Sequence, residues 1–269
     1  MLEVLKPIAF AALAWWFSTG AILWLIGRSR ATYYATALGA TIMLAGATIA
    51  LLALREATTV SAAYAGFATG LALWAWHEVM FLLGFVTGPR RGPCPPDLAP
   101  WPRFVVSTQT VIHHELAIAA HALLIAMMSW GADNQFAAWT FFLLWGMRLS
   151  AKLVVFLGAP NISDDFLPPH LDYLKTYFGK RAAAPAFPIL VTLVSTATAL
   201  IAYAAIRQPA GSYEAVGFIL LFTLAALAVF EHWALVLRLP DSVLWSWASR
   251  RSPQAGVDGA PSKGGIDGL

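Results

Sequence analysis

Ionisable side chains lie inside three strongly apolar stretches of this sequence. A helix of ~20 apolar residues spans the hydrocarbon core of a bilayer, and each charged side chain near its centre costs ~2.5–3.5 kcal/mol. Five of the six histidines and three glutamates occur at such positions: His77, Glu78, His113, His114, Glu115, His121, Glu231 and His232. Imidazole and carboxylate groups are metal ligands, so these eight residues are the candidate site.

The composition defines the class of protein that must position these groups. Hydrophobic residues make up 59% of the chain and charged residues 12%, and the mean hydropathy is +0.68. These values exclude a soluble globular protein. Long uninterrupted apolar runs favour helices over a β-barrel, whose strands alternate over ~10 residues. The single cysteine, Cys94, excludes an intramolecular disulfide and a four-cysteine metal site. We therefore predict an all-α polytopic integral membrane protein.

Seven apolar segments are long enough to cross a membrane as helices. They are residues 8–26, 33–54, 60–86, 105–130, 136–157, 187–206 and 214–237. The first is longer than the ~7–15-residue core of a signal peptide, so we interpret it as a retained helix. In the third, Gly66 and Gly70 share a helical face with His77. Small residues four apart let helices approach closely, so His77 is expected to point into the bundle.

Two long loops and a tail complete the predicted organisation. The loop 87–104 contains six prolines, which favour extended or turn backbone over helix. The loop 158–185 has apolar residues at helical spacing with charged residues between them, which predicts a cytoplasmic amphipathic helix at the membrane interface. Residues 248–269 are rich in Gly, Ser, Pro and Asp and predict a disordered cytoplasmic tail. The transmembrane domain is accordingly 1–247.

The basic residues predict the orientation in the membrane. With seven spans, the N-terminus and the turns near residues 56, 132 and 210 share one side and carry three Lys or Arg residues. The loops near residues 29, 95 and 170 and the tail share the other side and carry twelve. Arg148 and Lys152 lie inside the fifth segment and bring the count to all 17 Lys and Arg residues of the chain. The positive-inside rule then places the N-terminus in the periplasm and both long loops and the tail in the cytoplasm. A basic pI of about 9.1 thus reflects topology and gives no signal for nucleic-acid binding.

On this topology the ionisable groups of four helices lie at a similar depth, in the inner leaflet, since a helix rises ~1.5 Å per residue. Arg148 and Lys152 lie four residues apart on one face of the fifth segment. One interpretation is a structural network, in which the three glutamates pair with these two cations and the histidines hydrogen-bond within the bundle.

Two other interpretations make the cluster a ligand site. In the first, axial ligands for the metal of a haem or chlorophyll-type ring come from the histidines His77, His113, His114, His121 and His232. In the second, histidines and glutamates hold iron or another divalent metal. Two cations cannot neutralise three carboxylates, and a bound metal would offset that imbalance. His114 and His121, seven residues apart, share one helical face. The sequence leaves all three interpretations open.

Recognised catalytic motifs are absent from the sequence. It contains no phosphate-binding loop, no nucleophile elbow and no dinucleotide-binding fingerprint. Cys94 stands among prolines without a positioned base, and His170 is expected to be a solvated surface residue. Whether the protein is an enzyme is therefore open.

Several short motifs follow one another along residues 1 to about 247. They are Trp74-x-Trp76-His77-Glu78, Gly84-x-x-Thr87-Gly88-Pro89-Arg90-Arg91, His113-His114-Glu115, KLVVFLGAPN over 152–161, Asp172-Tyr173-Leu174 and Phe230-Glu231-His232-Trp233. Their order and spacing resemble the photosynthetic complex assembly protein 2 family (PuhE type) of purple phototrophic bacteria.

The resemblance implies a role in a process and does not supply a catalytic residue. It implies an inner-membrane assembly factor for the photosynthetic reaction-centre or light-harvesting complex, linked to bacteriochlorophyll supply or handling. The implied partners are subunits of those complexes and pigment. The alternative is a membrane-embedded metal-dependent oxidoreductase or tetrapyrrole-modifying enzyme that uses the His and Glu residues.

Overall fold

The computed structural model describes residues 1–162, 167–179 and 183–237, and these ranges are helical with no β-strand. They form seven long α-helices. The helices are α1 (Leu2–Ile26), α2 (Tyr33–Ala53), α3 (Val60–Leu82), α4 (Pro100–Met128), α5 (Phe136–Leu157), α6 (Phe187–Ile206) and α7 (Tyr213–Ala234). Short 3₁₀ helices cover Arg30–Thr32 and Pro169–Tyr177. The predicted tail, 248–269, lies outside the described residues.

Six of the described helices are long and apolar enough to cross a membrane, so the protein is a polytopic membrane protein. The helix outside this group is α3, which has 23 residues and lies inside the bundle against α1, α2, α4, α5 and α7. It carries His77, Glu78 and several small residues, and it is shielded by its neighbours. The predicted number of seven spans therefore depends on α3, whose length of ~34 Å matches a bilayer.

Glycines set the distance between α3 and α5. A Cβ added at Gly70 would lie 2.5 Å from Thr140 Cβ and 2.6 Å from the Ala137 carbonyl oxygen. One turn earlier, a Cβ at Gly66 would lie 3.1 Å from Asn134 Oδ1. The close approach inferred from this glycine pair is present, and His77 on the same helix points inward with 2% exposure.

The proline-rich loop is shorter than the sequence analysis predicted, because α4 begins at Pro100. Pro100 and Pro102 lie in the first turn of α4, where a backbone N–H has no helical partner and a fixed φ suits the helix. Proline therefore starts the helix here. The prediction of non-helical backbone up to residue 104 was wrong for this reason.

Residues 87–90 of the loop cross α4 as a strap. The Thr87 carbonyl accepts a hydrogen bond from the His114 backbone N–H at 2.9 Å, and the Arg90 N–H donates to the Gln109 carbonyl at 3.2 Å. Gly88 is buried between these contacts, and a Cβ there would lie 2.1 Å from the Gln109 oxygen. Only glycine lets the strap lie directly on the α4 backbone.

The second long loop contains the 3₁₀ helix Pro169–Tyr177, called here the cap helix. Its apolar residues Leu171, Leu174 and Tyr177 are buried, and the two leucines pack with Phe81 of α3. The sequence analysis predicted an amphipathic helix at the membrane interface. In the structure the element is a nine-residue 3₁₀ helix whose apolar side covers the helical bundle. Residues 163–166 and 180–182 of the same loop lie outside the described residues.

Polar contacts join the cap helix to the proline-rich loop. The Arg90 Nε donates to the Tyr177 hydroxyl at 2.7 Å, and that hydroxyl donates to the Gly92 carbonyl at 2.9 Å. The Cys94 N–H donates to Thr176 Oγ1 at 2.8 Å. The two long loops therefore lie at the same end of the bundle.

The turns near residues 56 and 132 meet at the opposite end. The Arg55 guanidinium donates to the Met128 carbonyl at 2.5 Å and to the Trp130 carbonyl at 3.1 Å. The rings of Phe136 and Tyr213, which begin α5 and α7, pack with their centroids 5.1 Å apart. This grouping of the turns matches the one on which the predicted orientation is based.

His170, in the first turn of the cap helix, is half-buried against the bundle, so the expectation of a solvated surface residue was wrong. Its Nε2 lies 3.0 Å from the Leu82 carbonyl oxygen, and its ring packs at 5.7 Å from that of Tyr33. Burial lowers the pKa of His170, and the charges of Arg30 and Arg91 add to this, against the raising effects of the Leu82 contact and Asp172.

Docking of the cap helix should weaken in acid. Because the folded pKa of His170 lies below its unfolded value of ~6.5, the unfolded state binds more protons below that pH and the stabilisation is lost as pH falls. We expect the detergent-solubilised protein to lose more thermal stability between pH 7.5 and 5.5 than His170→Gln does. Equal losses in the two proteins would contradict this assignment.

Candidate functional site

Two histidines form a pair between α3 and α4, with His77 buried and His121 partly buried. His77 Nε2 lies 2.8 Å from His121 Nδ1, so one imidazole donates and the other accepts. Aromatic rings surround His77, with Trp76 at 5.0 Å and Phe141 at 5.7 Å between centroids. Aromatic side chains therefore form much of the surroundings of His77.

His114, two helical turns before His121, differs from the other buried histidines. Its side chain is 1% exposed, and neither ring nitrogen has a hydrogen-bond partner among the described residues. Its ring packs against Phe81 at 4.6 Å and lies 6.4 Å from the ring of His77. A buried polar group without a partner costs ~1–3 kcal/mol, so this position needs an explanation.

Two ion pairs border the histidines. The Lys152 Nζ lies 2.5 Å from Glu115 Oε1, and Arg148 donates to Glu78 Oε2 at 3.4 Å. The other oxygen of Glu78 is buried without a partner among the described residues. Two of the carboxylate–cation pairs proposed for a structural network are therefore present.

The remaining candidates lie apart from this group. His232 is 1% exposed and fully bonded, with Nδ1 2.7 Å from the Ala228 carbonyl and Nε2 3.0 Å from Ser150 Oγ. His113 and Glu231 are exposed on the outside of the bundle, although Glu231 still interacts electrostatically with Arg148. The structure therefore brings together His77, Glu78, His114, Glu115 and His121. Glu231 is linked to this group only through the charge of Arg148, and His113 and His232 lie outside it.

Sequence reasoning did not identify the residues that complete these environments. Ser150 satisfies His232, and Thr87 of the strap bonds the backbone of His114. Thr87 Oγ1 and the hydroxyl of Tyr173 in the cap helix lie near each other, and both are buried without a hydrogen bond among the described residues. The motif around Gly88 and the Asp172-Tyr173-Leu174 motif were the available signals, but their meeting depends on the fold.

The positions of these side chains decide whether they could hold a metal ion. Across the three described ranges, no three His, Cys, Asp or Glu side chains are gathered closely enough to hold a metal ion between them. The same part of the structure does contain the buried imidazole of His114, whose two nitrogens have no hydrogen-bond partner among the described residues, next to an imidazole pair and two ion pairs. Metal binding by the eight candidates remains a prediction.

The fold and the site define a class: a polytopic helical membrane protein with a buried histidine cluster between α3 and α4, close to the end of the bundle covered by the long loops. The chain belongs to the family described as "Protein of unknown function (DUF3623)", whose model matches residues 1–256.

One curated relative is similar over most of its length. It is the "Uncharacterized 30.4 kDa protein in puhA 5'region" of Rhodobacter capsulatus, 40% identical over 238 residues that cover 87% of this chain and 86% of the relative. No solved structure matches the chain.

Proposed function

We propose that the protein is an assembly factor for the photosynthetic reaction-centre or light-harvesting complex and takes part in bacteriochlorophyll supply or handling. The observation that carries this proposal is the relative from the puhA 5' region of Rhodobacter capsulatus, which is 40% identical over nearly the whole chain. This agrees with the resemblance of the sequence motifs to a photosynthetic complex assembly family. The proposed role is therefore photosynthesis-related, with complex subunits and pigment as partners.

The membrane architecture supports this role. Six of the described helices are apolar and long enough to cross a membrane, as expected of a factor that acts on membrane-embedded complexes. We propose the inner or intracytoplasmic membrane, with the N-terminus in the periplasm and the C-terminus in the cytoplasm. The strap and the cap helix, which cover the histidine cluster, then face the compartment in which the basic loops lie.

A metal-dependent oxidoreductase or tetrapyrrole-modifying enzyme is the second candidate. The proximity of His77 and His121 favours it, since two imidazoles from neighbouring helices meet here within 2.8 Å and imidazole is a ligand of transition metals. Glu78 and Glu115 are the nearest carboxylates in the same layer, and both are engaged by cations.

Deletion of the gene separates the two candidates. For an assembly factor we expect fewer assembled complexes in the membrane absorption spectrum and no accumulated pigment precursor, with recovery on complementation by the intact gene. Accumulation of one defined tetrapyrrole precursor would favour the enzyme. Wild-type levels of complexes and precursors in the deletion strain would contradict both.

A further inference from the structure

We infer that Arg28, Arg30 and Arg91 bind the phosphate of an anionic phospholipid headgroup. These three residues, called here the arginine patch, are exposed at the end of the bundle that carries the long loops. Among the described residues, none of their guanidinium groups forms an ion pair or a hydrogen bond, and that of Arg28 packs on a tryptophan ring. The patch is accessible without any movement of the strap or the cap helix. A lipid site here goes beyond the proposed function and does not depend on it.

The arginine patch is assembled from two segments that are far apart in the sequence. Arg28 and Arg30 lie in the turn between α1 and α2, and Arg91 lies in the proline-rich loop. The charges of Arg30 and Arg91 both act on the imidazole of His170 in the cap helix. The ring of that histidine packs at 5.7 Å from the ring of Tyr33, the first residue of α2. The turn and the loop therefore meet beside the cap helix and concentrate positive charge there.

The carboxylates of the described residues do not neutralise the patch. Asp172 also acts electrostatically on His170, but its carboxylate forms an ion pair with Lys175 at 2.8 Å. The guanidinium of Arg90 is used on neutral acceptors, the Tyr177 hydroxyl and the Pro93 carbonyl. Exposed guanidinium groups without a protein anion are suited to a phosphate, since their planar forks match its oxygens.

The height of the patch favours a lipid over a soluble anion. The turn 27–32 joins α1 and α2, and both of these helices are long and apolar enough to cross a membrane. The turn therefore lies at the level of the lipid headgroups. Exposed aromatic rings flank it, with Trp24 41% and Tyr34 78% exposed, and such rings are enriched at the membrane interface. The Arg28 guanidinium carbon lies 4.7 Å from the centre of the Trp24 ring, so it is held at this height.

The number of arginines favours a headgroup with a net negative charge. A zwitterionic lipid offers the same phosphate but carries a cation on the same headgroup, and neighbouring arginines repel that cation. An anionic lipid such as phosphatidylglycerol has no such cation, so several guanidinium groups can approach it together. The arginine patch should therefore distinguish these two classes of lipid.

Native mass spectrometry of the purified full-length protein tests this inference. The protein in mild detergent is mixed with equal amounts of phosphatidylglycerol and phosphatidylcholine that have identical acyl chains. We expect preferential, saturable binding of phosphatidylglycerol. The double variant Arg30→Gln/Arg91→Gln should bind phosphatidylglycerol roughly tenfold more weakly, because it lacks two charge-assisted contacts, and should lose the preference over phosphatidylcholine.

Arg207→Gln is the matched control for the double variant. Arg207 is also an exposed arginine beside an aromatic ring, that of Tyr203, but it follows α6 at the opposite end of the bundle. This variant should bind phosphatidylglycerol as the unaltered protein does. An equal loss of binding in Arg207→Gln would show that the preference comes from overall charge and would contradict a site at the patch.

Two further measurements keep the outcome decisive. An excess of inorganic phosphate should not displace the lipid, because the acyl chains contribute to binding, and displacement would show a site for a free anion instead. If the double variant is unstable, Arg30→Lys/Arg91→Lys keeps both charges and should retain the preference for phosphatidylglycerol. Equal binding of the two lipids by the unaltered protein, unchanged binding by the double glutamine variant, or loss of the preference in the lysine variant would overturn the inference.

Discussion

Gly88→Ala is expected to detach the strap from α4. The new Cβ would lie 2.1 Å from the Gln109 oxygen and 2.6 Å from the Thr110 carbonyl carbon. Both atoms belong to helix backbone and cannot rotate away, so the strap must shift. Overpacking of this kind costs ~1–3 kcal/mol or more, and the loss of the Thr87 contact adds to it. We expect a lower midpoint of thermal unfolding in detergent and faster reaction of Cys94 with a thiol reagent.

Gly92→Ala is the matched control for this prediction. Gly92 belongs to the same loop, and a Cβ added there meets nothing within 4 Å. Its carbonyl still accepts from Tyr177 in the variant. Gly92→Ala should keep the thermal midpoint and thiol reactivity of the unaltered protein. Similar behaviour of the two alanine variants would show that the strap does not lie on α4 as described.

Gly70→Ala is expected to force α3 and α5 apart. The added Cβ would lie 2.6 Å from the Ala137 carbonyl oxygen, a backbone atom of the facing helix. Because α3 packs against five other helices, its displacement is expected to destabilise the whole bundle by ~1–3 kcal/mol or more. Unfolding of the detergent-solubilised protein by SDS, followed by circular dichroism, measures the loss.

Gly39→Ala on α2 is expected to have the opposite effect on stability. No atom lies within 4 Å of a Cβ at Gly39, and alanine is the better helix former by ~0.5–1 kcal/mol. This variant should be as stable as the unaltered protein or slightly more stable. If Gly70→Ala tolerates SDS as well as Gly39→Ala does, the close contact between α3 and α5 is not required for stability.

The helices were largely predictable from the sequence, because each membrane helix corresponds to a long run of hydrophobic residues. The segments 136–157 and 187–206 coincide with α5 and α6 in the structure. The start of α4 was missed, because proline breaks a helix interior yet suits its first turn. Local sequence does not say which of these two positions a proline occupies.

The partners of the histidines were not predictable, because they come from other helices. His114 and His232 are both histidines next to a glutamate in an apolar run, and the sequence gives them the same prediction. Ser150 on α5 satisfies one of them, while the other has no such partner among the described residues. The difference depends on how the helices are rotated and shifted against each other, and hydrophobic periodicity does not fix either quantity.

The contact of Arg55 with the C-terminal end of α4 fixes the position of the α4 histidines along the helix axis. Its guanidinium donates hydrogen bonds to carbonyls at and just after the end of α4. The strap accepts a hydrogen bond from the same helix at His114. A helix fixed at two points along its axis cannot slide. A slip of one residue would move His121 by ~1.5 Å along the axis, enough to break its 2.8 Å contact with His77. An arginine at the end of α4 thereby helps to set the alignment of the imidazoles along that helix.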